Sequence, residues 1–100
     1  METLQKTVAK EILEQLGGNK FIAMTGAHNL ATDGNNLCLK FKGSNKANYL
    51  RITLTSMDLY TIEFAKISGT NIHWHSMYKG CYNDMLQDIF NKVTGLNTHL

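Results

Sequence analysis

Tyr49-Leu50-Arg51-Ile52-Thr53-Leu54-Thr55 is the stretch on which the reading of this chain turns. Apolar Leu50, Ile52 and Leu54 alternate with Tyr49, Arg51, Thr53 and Thr55. A period of two sends successive side chains to opposite faces of a strand. The stretch therefore predicts a half-buried strand with Leu50, Ile52 and Leu54 against a core.

Upstream, Leu37-Cys38-Leu39-Lys40-Phe41-Lys42 alternates in the same way, with Leu37, Leu39 and Phe41 on one face. Asp33-Gly34-Asn35-Asn36 precedes it and Gly43-Ser44-Asn45-Lys46 follows it, both rich in turn-forming residues. Downstream, Ser56-Met57-Asp58 breaks the pattern before a fourth strand over residues 59–67, with Tyr60, Ile62 and Phe64 inward. Ser68-Gly69-Thr70-Asn71 reads as a hairpin turn, and residues 72–77 as a fifth strand. In that strand Ile72 and Trp74 are expected on the core face and His73 and His75 on the other. A first strand is expected over residues 21–25, with Gly26 permitting a bulge or bend near its end.

Helices flank this β region. Leu4, Val8 and Ile12 recur every four residues, and Ala9, Leu13 and Leu16 widen the stripe. Thr3 is the expected N-cap, and Gly17-Gly18-Asn19 the stop. Tyr82, Met85, Leu86, Ile89, Phe90, Val93 and Leu96 form a second amphipathic stripe, with Asn83 and Asp84 in its first turn and Gly95 at its end. The expected fold is α+β with two layers: a helix, a five-stranded antiparallel meander and a helix, both helices packed on one face of the sheet.

With 100 residues, 43% of them hydrophobic and 18% charged, the chain has the composition of a single globular domain spanning residues 1–100. No apolar run approaches the ~20 residues of a membrane span. No charged-then-apolar leader opens the chain, and its two cysteines suit free thiols in a reducing cytoplasm.

If the helices cover one face, the other carries Cys38, Lys40, Lys42, Tyr49, Arg51, Thr53, Thr55, Thr61, Glu63, His73 and His75. Lys20, Lys40, Lys42, Lys46 and Arg51 against Asp33 give residues 20–56 a local net charge of +4. That open face can contact a partner protein or the phosphates of a nucleic acid, with Tyr49 or Trp74 as a stacking ring, although the inward placement expected for Trp74 weakens the stacking case. The plain structural alternative is a solvated face with lysines guarding the edges. Lys40, Lys42, Tyr49, Arg51, His73 and His75 are the expected partner-binding residues. A homodimer through a sheet edge is also open.

Chemistry is sparse. His73-x-His75 has a spacing that can serve a metal, but a third ligand would have to come from Cys38, His28, Glu63 or Cys81, and nothing brings one near. Met24-Thr25-Gly26-Ala27-His28-Asn29 lacks the glycine spacing of a phosphate loop. Asp84, Asp88 and Lys92 are ordinary i, i+4 neighbours. No catalytic residue, metal or cofactor is expected, and the chain does not read as an enzyme. Met57, Tyr60, Met77, Tyr78 and Tyr82 fall near predicted loops and the start of the last helix, as residue types favoured both in interfaces and in small cores.

Leu13-Glu14-Gln15-Leu16-Gly17-Gly18-Asn19-Lys20-Phe21-Ile22-Ala23-Met24-Thr25-Gly26-Ala27, Ile52-Thr53-Leu54-Thr55-Ser56-Met57-Asp58-Leu59-Tyr60 and the closing segment from Met85-Leu86-Gln87 to Thr94-Gly95-Leu96 carry a resemblance. Together they resemble a group of small proteins encoded by bacteriophages, prophages and mobile elements, over nearly the whole chain. The motif marks a family rather than a catalytic centre, so no functional residue is carried over. The resemblance implies a non-enzymatic protein in the cytoplasm of a host bacterial cell that binds a macromolecule. One implied role is inhibition of a bacterial defence system, such as a CRISPR effector. The other is accessory binding of single-stranded DNA or RNA through the open, mildly basic sheet face.

Overall fold

A computed structural model describes residues 8–96, and the expected Thr3 cap, the Leu4 contact and the last four residues lie outside that range. The order is α1 (Val8–Leu16), α2 (Gly18–Thr25), β1 (His28–Ala31), β2 (Asn36–Lys40), β3 (Tyr49–Leu54), β4 (Tyr60–Ser68), β5 (Asn71–Cys81), a 3₁₀ turn (Asn83–Met85) and α3 (Leu86–Thr94). The strands form one antiparallel sheet in the order β1-β2-β3-β4-β5, an α+β meander.

The first strand is the main correction. Residues 21–25 are not extended: they are the second half of α2. Phe21 and Thr25 are buried one helical turn apart, and Thr25 Oγ1 donates to the Phe21 carbonyl at 2.7 Å. Gly26 is not a bulge. At φ 67 it takes the left-handed cap position, and its N–H donates to the Ile22 carbonyl at 3.0 Å. The run Phe21-Ile22-Ala23-Met24-Thr25 is apolar and short, a pattern that strands and buried helices share. Gly17, at φ 128, separates the two helices, and a Cβ there would lie 3.2 Å from that of Phe21 and 3.3 Å from Gln87 Nε2. The glycine pair thus turns one helix into the next.

The alternation of β2, β3 and β4 holds. Leu37, Leu39, Leu50, Ile52, Tyr60, Ile62 and Phe64 are buried, and Leu54 is half-buried. They share one core with Ala9, Ile12 and Leu16 of α1, Phe21 of α2 and Leu86, Phe90 and Val93 of α3. Phe90 sits at the centre, with ring centroids 4.9 Å from Phe21, 5.0 Å from Phe41 and 6.2 Å from Phe64. Gly95 caps α3 at φ 77 as expected, its N–H reaching the Asn91 carbonyl. The stripe begins later than its periodicity suggested, because Tyr82 and Met85 precede the α-helix and stay exposed. Tyr60 belongs to the core and not to the exposed aromatics.

Two cross-chain ties set the sheet's ends. Asn48 bonds both backbone groups of Ile67, donating from Nδ2 at 2.9 Å and accepting at Oδ1 at 2.7 Å. Ser44 Oγ donates to the Thr94 carbonyl at 2.9 Å, holding the β2–β3 loop on the end of α3.

Candidate functional site

The register of the ladders builds the face that looks away from the core. One cross-strand row runs Lys40, Tyr49, Ala65 and Trp74, and the next runs Cys38, Arg51, Glu63 and Met77. The turn at Gly69-Thr70 aligns Ser68 with Asn71, so Ala65 faces Trp74 and Ile67 faces Ile72. Ala65 is adjacent to inward Phe64, so it and its partner Trp74 must point outward.

The expectation for β5 is thereby inverted. Ile72 and Trp74 lie on the open face, 45% and 48% exposed, and not against the core. His73 pairs with Lys66, which shares a face with Phe64, so His73 is not on the open face. His75 is the extra residue of a β-bulge, since Phe64 aligns with Ser76 while Ala65 aligns with Trp74. Its Nδ1 lies 3.0 Å from Ser76 Oγ. The bulge shifts the alternation by one, so Met77 joins Trp74 on the open face, 52% exposed. Glu63, Trp74, His75, Ser76 and Met77 line an open pocket of about 210 Å³.

Arg51 organises the centre of this face. Its Nε donates to Glu63 Oε1 at 2.9 Å and its second amino group to Oε2 at 3.2 Å, a bidentate pair across β3 and β4. The guanidinium also lies 4.8 Å from the centre of the Trp74 ring. Trp74 meets Tyr49 edge to face at 6.1 Å, above fully buried Ala65. The Glu63 carboxylate raises the Arg51 pKa, so the charge is fixed. The Tyr49 phenol is pushed up to about 12, first by burial and then by its hydrogen bond with Cys38.

Of the six expected residues, Lys40, Tyr49, Arg51 and His75 come together around the two rows. Lys42 does not: it lies beyond the end of β2, with its stem against Gly26. His73 does not either. Ile72 and Trp74, expected against the core, are surface residues, and Met77, expected near a loop, joins them on this face. Counting across the Gly69-Thr70 hairpin from Phe64 places Trp74 outward, so that signal was present in the sequence. The bulge that turns Met77 outward has no such signal.

The thiols are separate, Cys38 half-buried on the open face and Cys81 buried. Burial pushes the Cys81 thiol up. Among the described residues, no group of three or more His, Cys, Asp and Glu side chains could hold a metal ion. No described helix is long and apolar enough to cross a membrane. Comparison with family models, curated proteins and solved structures finds no match to this chain.

Proposed function

We propose that this protein is a non-enzymatic interaction module that binds a host macromolecule through the open face of its sheet. The macromolecule is a protein, of the kind a phage disables, such as a bacterial defence effector. The resemblance to small phage and prophage proteins supplies the setting. The observation that carries the reading is Trp74, half-exposed and held between Tyr49 and Arg51.

Trp, Tyr, Arg and Met are the residues enriched in protein interfaces. Here all four types meet on one face, and Glu63 holds the arginine in a single orientation. A side chain already ordered loses less entropy on binding. The same pair argues against nucleic acid. Arg51 is neutralised by Glu63, which leaves Lys40 as the cation of the two central rows. Phosphate binding draws on several such cations.

The test is a pull-down of the tagged protein from host lysate with and without nuclease, repeated with Trp74→Ala. A protein partner that survives nuclease and is lost with Trp74→Ala supports the reading. Retention of the partner by Trp74→Ala removes this face. Binding of an oligothymidylate that falls steeply with salt replaces the protein partner with single-stranded nucleic acid.

A further inference from the structure

We propose that the outer edge of β5 is a docking edge that takes an acidic, extended segment of the partner protein as a sixth strand. One side chain of that segment sits in the pocket between Trp74 and Met77. This deepens, and rests on, the reading of the open face as a protein-binding surface.

The sheet has two edges. Among the described residues, β1 is four residues long, while β5 is eleven and pairs only with β4. A strand edge presents backbone N–H and C=O groups to whatever can pair with them. Natural proteins shorten, charge or cover such edges. β1 is short. β5 instead displays Ile72, Trp74, Met77 and Tyr78, all exposed. An edge this long with this much apolar surface is what strand addition by a peptide uses. Backbone bonds then give affinity, and side-chain pockets give choice of sequence.

The bulge at His75 supplies such a pocket. It sets Trp74 and Met77 on the same face in adjacent rows, with Glu63 opposite Met77. A regular strand would have turned Met77 to the other side.

Charge selects the occupant. β5 carries Lys79, His73 and His75 and no carboxylate. Beside it, β4 contributes Lys66, and its Glu63 is engaged by Arg51. A second copy of β5 brings no carboxylate to meet Lys79 or Lys66. An acidic strand does.

The test begins with a library of random 12-residue peptides displayed and selected against the full-length protein. Selected peptides are then synthesised, and their affinity is read by fluorescence anisotropy. The expected peptides alternate apolar residues with Asp or Glu. Their affinity should fall about tenfold or more with Lys79→Glu, and N-methylation of alternate peptide amides should abolish binding. Trp74→Ala should weaken them too, with its fold checked by circular dichroism; Lys79→Glu is an exposed change that leaves the fold intact.

No enrichment, enrichment of neutral or basic peptides, or equal binding to Lys79→Glu overturns the edge. Peptides that ignore Lys79→Glu but are lost with Arg51→Glu overturn the edge and keep the open face. A dimer in sedimentation that Lys79→Glu disperses assigns the edge to a second copy. Binding of oligothymidylate alone overturns both readings.

Discussion

The guanidinium carbon of Arg51 stands 4.8 Å from the centre of the Trp74 ring. Glu63 grips the same group with two hydrogen bonds, so the only tryptophan of the chain reports on the middle of the open face. Acrylamide should quench its fluorescence in the folded state. Arg51→Ala should increase that quenching and cost about 1–3 kcal/mol, since it removes the cation–π contact and also leaves the largely buried Glu63 carboxylate without its partner. An indole that acrylamide does not reach in the native protein would contradict the placement of Trp74.

Phe90 joins the helices to the sheet through its contacts with Phe21, Phe41 and Phe64. Phe90→Ala should cost about 3–5 kcal/mol. Domains of this size have only about 5–15 kcal/mol in all, so the variant should sit near the edge of folding. Urea unfolding followed by circular dichroism measures it. A loss below about 1 kcal/mol would mean that the four rings are not the centre of the core.

Gly17 holds a backbone angle that side chains rarely adopt, and a Cβ would press on Phe21 and Gln87. Gly17→Ala should destabilise the protein by about 1–3 kcal/mol. Gly34, which has open space around it, should tolerate alanine better, since only its φ of 117 opposes the change. Comparing the two midpoints in urea separates crowding from backbone strain.

The Tyr49 phenol titrates near 12 in the folded protein and near 10 when unfolded. Between those values the folded state holds a proton that the unfolded state has released. Its contribution to stability is therefore intact below pH ~10 and is lost as the pH climbs towards 12. Tyr49→Phe should remove the late step from the tyrosinate absorbance titration and flatten this part of the alkaline stability profile. A titration unchanged by the substitution would place that late proton elsewhere.

Cys81 is buried with its thiol pushed up, while Cys38 is half-buried on the open face. A disulfide reagent such as Ellman's should label Cys38 in the native protein and Cys81 only on unfolding. A binding partner seated over the face should protect Cys38. Equal rates at the two thiols would contradict this arrangement.

The antiparallel meander was legible because its turns are short and its strands alternate. Leu37, Leu39, Leu50, Ile52, Ile62 and Phe64 were assigned inward from period alone, and all are buried. Residues 21–25 were misread because five residues are too few to separate a period of two from one of 3.6. Thr25, a β-branched residue, bonds back to Phe21 in a helix instead. Propensity gave way there to the left-handed cap at Gly26. On the candidate surface, Cys38, Lys40, Tyr49, Arg51 and Glu63 were legible, but Ile72 and Trp74 were not.

By itself, the sequence determined the two flanking helical stripes, four of the five strands and the outward side chains of β2, β3 and β4. These follow from side-chain periodicity, which is local. Only the tertiary structure decided that Arg51 meets Glu63 and that Trp74 and Met77 stand side by side above them. Those juxtapositions depend on the register between strands and on one extra residue at His75. A shift of a single residue in either reverses which side chains a face presents.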